Sequence, residues 1–398
     1  MKIPNLLLLV LLLYGCGTNQ TAKEENTEKI DPDAINFPAI AELLIERMAL
    51  QPKETVLLVA EPGKFDPLVE ELASKISINK SVYLGTISIT DNQPDSWSTE
   101  FTKSASGISD KELKEHLKSA DLGVMLPGAT PSDLAYKLMQ DNLNEGMGRT
   151  IHFHWAGAYN LNGAELPITE GIDKFYEEVL LNTDYDALAE TQMAFDSAVR
   201  DNTIRVTTPA GTDISFEVGD RPMTKQDGDA SKKRAGSAKN LIDREIELPA
   251  GAIRIAPVES TVNGVIAFPD GSWNGEPVSG LKLTFEKGKV VDMIAENGLE
   301  AAKAEIENAG DAGKSFREFA LGFNPLLAIP DNDPWIPYYG YGAGVVRLSL
   351  GDNSELGGQV TGGYVRWNFF TDATVHVGDE VFVENGQLVQ NTNQTLTE

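Results

Sequence analysis

Apolar positions recur along the chain in two rhythms, and the change falls near residue 202. Before it, short unbroken apolar runs alternate with stretches of helical spacing. Residues 39–49 put Ile40, Leu43, Leu44 and Met48 on one helical face. Residues 55–60, Thr-Val-Leu-Leu-Val-Ala, read as a short buried strand. After the turn Glu61-Pro62-Gly63, residues 67–76 begin a helix with proline in its first turn and gather Leu68, Val69, Leu72 and Ala73 on one side. Residues 81–89 predict a second strand. Residues 109–119 predict a helix that starts at Ser109, with Glu112 completing a capping box. A strand at 121–126, a helix at 131–143 and a strand at 149–155 follow, and 173–198 is mostly helical. Strands alternating with helices predict an open, mostly parallel α/β sheet domain over residues 36–201.

Beyond that point the rhythm shortens. Residues 203–208 and 213–218 flank the turn Pro209-Ala210-Gly211-Thr212 as a hairpin. Residues 221–239 are polar and are expected to form a mobile loop. Strands are expected at 253–258, 264–268, 281–285 and 290–295, with Lys287-Gly288 turning the third into the fourth. A helix is expected at 299–307. Asn385-Gly386, between Val381-Phe382-Val383 and Leu388-Val389, is a hairpin signal. The fold class is therefore α/β, with a β-rich α+β domain over residues 202–398 after the parallel one.

The extreme N-terminus follows neither rhythm. Lys2 precedes an apolar run from Leu6 to Leu13, too short to span a bilayer as a helix. Leu13-Tyr14-Gly15-Cys16 then resembles a bacterial lipobox, with Cys16 as the lipid acceptor. Residues 1–15 are read as a lipoprotein signal peptide, and the polar stretch 16–35 as a flexible tether. The expected location is the bacterial cell envelope, with the protein lipid-anchored to a membrane. Cys16 is the only cysteine, which excludes an internal disulfide and a thiolate metal cluster.

Charge narrows the partners. The chain carries 33 basic and 60 acidic residues, a formal net charge of −27. Phosphate contacts need clustered Lys and Arg, so nucleic acid is not expected as a partner. A solvated acidic surface accounts for the excess by itself.

Chemistry-bearing motifs are sparse. There is no nucleotide-binding glycine loop, no Gly-x-Ser-x-Gly elbow and no His-Glu-x-x-His helix. Of the four histidines, His152 and His154 flank Phe153 on an expected strand. Alternation puts both imidazoles on one face, which suits either a shared metal or a polar strand end. His116 lies on a charged helix, and His376 lies near the last hairpin. Glu259 is read as standing inside an apolar strand, and Glu318 follows Arg317 ahead of Phe319-Ala320. A carboxylate at a buried strand end needs a cation or hydrogen-bond donors, or its pKa rises. A metal, Arg347 and Arg366 are the candidate cations.

A wider resemblance rests on several motifs in order. They are Thr208-Pro209-Ala210-Gly211-Thr212-Asp213, Ala256-Pro257-Val258-Glu259, Asn263-Gly264, Glu318-Phe319-Ala320-Leu321-Gly322 with Asn324-Pro325, and Leu348-Ser349-Leu350-Gly351. Together they resemble the aminopeptidase T family of metallo-aminopeptidases, a fold family that also includes ring-cleaving dihydroxypyridine dioxygenases. The resemblance implies a two-metal clamp of two glutamates, two histidines, a tyrosine and an aspartate that activates water. Glu259 and Glu318 match the two glutamates. Arg347 stands where the family has histidine, Ser354 or its neighbours where it has tyrosine, and Arg366-Trp367-Asn368 where it has His-Trp-Asp.

Arginine stays charged and cannot coordinate a cation, and asparagine is a weak ligand. The expectation is a degenerate metal site in which Arg347 and Arg366 pair with Glu259 and Glu318. No resident cofactor is then expected, and the cleft binds a small ligand or peptide without hydrolysis. Two alternatives stand beside this reading. One is an active metal-dependent aminopeptidase holding a zinc- or cobalt-type ion with Glu259, Glu318 and His152, His154 or His376. The other is a structural or interaction lipoprotein. The resemblance also implies a homodimer.

Overall fold

The structure, a computed structural model, describes residues 34–238 and 241–389. The expected signal peptide, Cys16 and nearly all of the expected tether lie outside the described residues. Among the described residues no helix is long and apolar enough to cross a membrane.

The first half builds strands β1 (Thr55–Ala60), β2 (Val82–Ser88), β3 (Leu122–Met125) and β4 (Arg149–Phe153). Its main helices are α1 (Phe37–Met48), α2 (Asp66–Ile78), α3 (Glu100–Ala105), α4 (Asp110–Leu117), α5 (Leu134–Asn144), α6 (Glu170–Asn182) and α7 (Tyr185–Val199). The four strands are parallel, in the order β2-β1-β3-β4. Alternation along β1 sends Val56, Leu58 and Ala60 into a core with Ile40, Leu44, Leu68 and Leu72. Leu57 and Val59 go the other way, into a cluster with Leu113, Tyr136 and Met139. Helices therefore cover both faces, which is why the strand reads as a continuous apolar run. Ser109 and Glu112 form the expected reciprocal cap on α4.

The second half builds strands β5 (Ile204–Thr207), β6 (Asp213–Phe216) and β7 (Met223–Lys225), then short helices α8 (Lys232–Gly236) and α9 (Leu241–Arg244). Residues 221–239, expected to form a loop, thus hold a strand and a helix, and Thr224 and Gln226 are fully buried. The polar character marks a buried hydrogen-bonded segment here, because Gln226 accepts from the Glu247 amide at 2.8 Å.

Strand β8 (Glu245–Leu248) then pairs with β4 as the fifth parallel strand of the first sheet. Its register sets Glu245 beside Thr150 and Glu247 beside His152.

The remaining strands are β9 (Ala252–Ile255), β10 (Asn263–Ala267), β11 (Gly271–Trp273), β12 (Glu276–Val278), β13 (Lys282–Glu286) and β14 (Lys289–Ile294). After helix α10 (Leu299–Asn308) come β15 (Phe316–Gly322), β16 (Val346–Gly351), β17 (Val365–Arg366), β18 (Phe369–Phe370), β19 (Thr374–Val377), β20 (Glu380–Glu384) and β21 (Gln387–Leu388). They form an eight-stranded sheet, β14-β13-β10-β6-β5-β19-β20-β21, and a six-stranded one, β17-β16-β15-β9-β7 with β18 also on β16. Phe216, Phe316 and Phe319 pack ring against ring between them. One apolar core runs from Ile40 to Val383. Lys287-Gly288 and Asn385-Gly386 take positive φ, as tight hairpin turns require.

Candidate functional site

The six-stranded sheet explains how its charged residues meet. Ala320 on β15 is paired with Arg254 on β9 on one side and with Arg347 on β16 on the other. Glu318, two residues before Ala320, shares its face, and diagonal neighbours on adjacent strands lie within reach of long side chains. The register shift beside Arg317 breaks the alternation, and Arg317 reaches Glu318 too.

Glu318 is fully buried. Its Oε2 accepts from Arg254 Nε at 3.3 Å and Nη2 at 3.2 Å, and from Arg317 Nη1. Its Oε1 accepts from Arg347 Nε at 3.1 Å and from Ser349 Oγ at 3.3 Å. Burial alone would push this carboxyl up; the three guanidinium groups more than reverse that and hold it far below the usual carboxylate range. Glu355 Oε1 balances the excess positive charge by accepting from Arg254 Nη2 at 2.9 Å and from Arg317.

The other family-type positions are placed separately. Glu259 does not lie within a strand: it opens a one-turn helix, Glu259–Thr261, just after β9. Its partners are Arg221, Asn353 Nδ2 at 3.1 Å and the Gln359 amide at 2.8 Å. Burial pushes the Glu259 carboxyl up, and these donors bring it net below its ordinary value. Arg366 pairs with Glu305 at 2.8 Å and stacks 3.5 Å over the Trp273 ring, so it does not neutralise Glu259 or Glu318. Trp367, 39% exposed, lies 4.9 Å from the Arg347 guanidinium carbon. Asn368 is buried, and its Nδ2 donates to the Leu348 carbonyl at 3.4 Å.

A cavity of about 520 Å³ opens between the parallel sheet and this charged sheet. Its floor includes Arg254, Arg347, Glu247 and Glu355, and its aromatic wall includes Trp155, Tyr159, Tyr339, Tyr341 and Trp367. It lies where β3 and β4 end, the usual ligand side of a parallel sheet. His152 and His154 line it together, as strand alternation requires, with their rings in contact. Burial, reinforced by His154, holds His152 far below the ordinary imidazole range, and burial brings His154 to about 4. Both are neutral at pH 7. Glu245 is raised to about 7 by burial, with Glu247 adding to the rise. Tyr341 donates its hydroxyl to Glu247. His376 sits on β19 in the eight-stranded sheet and does not line the cavity.

These residues do not fit the two-metal clamp. Every lone-pair direction a cation would use at Glu318 already faces a guanidinium or hydroxyl group. Three neighbouring positive charges oppose a further one. Among the described residues, no group of three or more His, Cys, Asp or Glu side chains is placed to hold a metal ion.

Arg254, Glu247, Glu355 and Arg221 are site residues that sequence reading passed over. Arg254 carried a signal, a charged side chain inside Ala252-Ile253-Arg254-Ile255. Arg221 carried none, because its partner lies 38 residues away.

Residues 186–327 match the model of the thermophilic metalloprotease (M29) family. No curated protein matches the chain. Several solved structures share the fold, two of them as follows. The 2,5-dihydroxypyridine dioxygenase of Pseudomonas putida KT2440 is 14% identical with a TM-score of 0.60, covering 89% of this chain and 97% of that one. Wild-type AmpT from Thermus thermophilus is 16% identical with a TM-score of 0.56, covering 89% and 99%.

Proposed function

We propose that this chain, whose residues 186–327 match the thermophilic metalloprotease (M29) family model, is a lipid-anchored binding protein whose ancestral metal clamp has become an arginine–glutamate cluster. The observation that carries this reading is Glu318, a matched family glutamate whose two oxygens are held by Arg254, Arg317 and Arg347. A guanidinium fixes charge and geometry as a metal would, but it does not activate a water molecule. The cluster then serves as a rigid, charge-balanced floor, and the aromatic wall above it receives a small ligand or the end of a peptide.

The test is turnover. Purified protein, supplied with zinc or cobalt, should release no amino acid from aminoacyl-p-nitroanilide substrates. Metal-dependent release that disappears in Glu318→Gln overturns the reading. Anchoring is tested separately: Cys16→Ser should move the protein from the membrane to the soluble fraction, and unchanged membrane association overturns the lipid anchor.

One observation favours a working hydrolase instead. His152 and His154 face the same cavity as Arg254 and Arg347. Against it, no third His, Cys, Asp or Glu side chain is placed with the two imidazoles to hold a metal ion among the described residues.

A further inference from the structure

Strand β17 ends the six-stranded sheet, and its outer edge is open. Its pairing with β16 keeps one register that continues into β18. Gly351 faces Val365, Leu350 faces Arg366, and Val346 faces Phe370. Along this ladder the Asp352 amide donates to the Tyr364 carbonyl at 2.8 Å, and the Leu348 amide donates to the Asn368 carbonyl at 3.1 Å. Tyr364, Arg366 and Asn368 therefore turn their backbone groups towards β16, and alternation turns those of Val365 and Trp367 away from it. Among the described residues no backbone group pairs with the outward N–H and C=O of Val365 or Trp367.

These groups border a cavity of about 940 Å³, lined on its other sides by residues 161–164 and 269–279. Tyr159 and Trp367 line both this cavity and the aromatic one beside the arginine cluster, so the two meet there. Arg366 is paired with Glu305, which leaves Asp270 as the charged residue of the groove without an ionic partner among the described residues.

We propose that an extended, basic peptide adds to the outer edge of β17 as a further strand, with one end directed past Tyr159 and Trp367 into the aromatic cavity. The inference rests on the binding reading above, and it adds the class of ligand and the way it is held. An edge that presents unpaired N–H and C=O groups is complementary to another backbone, and such pairing gives affinity that tolerates many sequences. Residues 365–369 would match about 17 Å of extended chain. Asp270 and the net charge of −27 favour basic side chains on that chain. Because the edge is recessed between the two lining segments, a slender extended segment reaches it more readily than the sheet edge of a second copy does.

Calorimetry tests this with the peptide Lys-Val-Thr-Val-Thr-Val-Lys and the same peptide N-methylated at every residue between the lysines, which cannot donate from those amides. The methylated peptide should bind the wild-type protein at least about tenfold more weakly. Val365→Pro removes one outward N–H at an edge position where proline is tolerated, and should weaken the unmethylated peptide about tenfold. Val365→Ala keeps that N–H and should bind it within about twofold of wild type. The wild-type comparison needs no variant, so a misfolded mutant does not spoil the test. Equal binding of the two peptides overturns strand addition and leaves a binding function standing, as does undiminished binding to a folded Val365→Pro protein. Failure of both peptides to bind overturns this inference, whereas metal-dependent turnover is what overturns the reading it rests on. Concentration-dependent dimerisation that Val365→Pro abolishes would assign the edge to a second copy of the chain, and also overturns it.

Discussion

Arg347 Nη2 lies 3.1 Å from Glu318 Oε1, with the two side chains 3% and 0% exposed. The pair sits on adjacent strands beneath Trp367, and it is shared with Arg254 and Arg317. Removing one member leaves buried charge uncompensated. Glu318→Gln should therefore lower unfolding free energy by about 3–5 kcal/mol, measured by urea denaturation. A loss below about 1 kcal/mol would mean that the cluster is solvated.

Arg347 and Arg366 both stand where the sequence resemblance would place metal ligands, but in different surroundings. Arg347→Ala should cost about 3–5 kcal/mol because Glu318 stays buried. Arg366→Ala should cost only about 1–2 kcal/mol, since its pair with Glu305 is partly exposed and the remainder is stacking on Trp273. Equal losses from the two substitutions would contradict the separate placement of the two arginines.

The two buried glutamates predict opposite pH effects. The Glu318 carboxyl is depressed in the fold, so its stabilisation is present above the unfolded value of about 4.3 and is lost as pH falls below it. Glu245 is raised to about 7, so its contribution is present below about 4.3 and is lost as pH rises through about 7. Glu245→Gln should accordingly gain stability relative to wild type as pH increases from 5 to 8 (roughly the span of that titration). A parallel pair of melting-temperature curves over this range would count against the burial of Glu245.

Tyr339 is held over the cavity by an unusual neighbour. Gly157 has φ +78°, and a Cβ there would meet the Tyr339 ring at 2.4 Å. Tyr339 itself has φ 53°. Gly157→Ala should destabilise the fold by about 1–3 kcal/mol and displace this ring from the cavity wall. Thermal melts and near-ultraviolet circular dichroism check both effects.

Much of the architecture was legible in local pattern. Mostly apolar stretches at 55–60 and 121–126 marked strands covered on both faces, and Ser109 with Glu112 marked the start of α4. What escaped was non-local. Strand β8 joins β4 from about 90 residues downstream, and no periodicity announces a partner at that distance. The polar stretch around Thr224 and Gln226 resembled a loop because buried hydrogen bonding and solvent exposure favour the same residue types.

The site was legible in part for the same reason. Glu318 and Arg347 could be matched by motif, and register brings them together across β15 and β16. Pairing Arg366 with a clamp glutamate failed, because β17 is an edge strand and its side chain turns to Glu305 on α10. Arg254 was missed although, like Arg317, it bridges Glu318 and Glu355.

The central claim is that guanidinium groups occupy the place of metal ions at Glu318. Elemental analysis of the protein after incubation with excess zinc or cobalt and gel filtration tests it most directly. The account predicts well under one equivalent of metal per chain, unchanged by Glu318→Gln. One or two equivalents retained by the wild-type protein, and lost on that substitution, would contradict it.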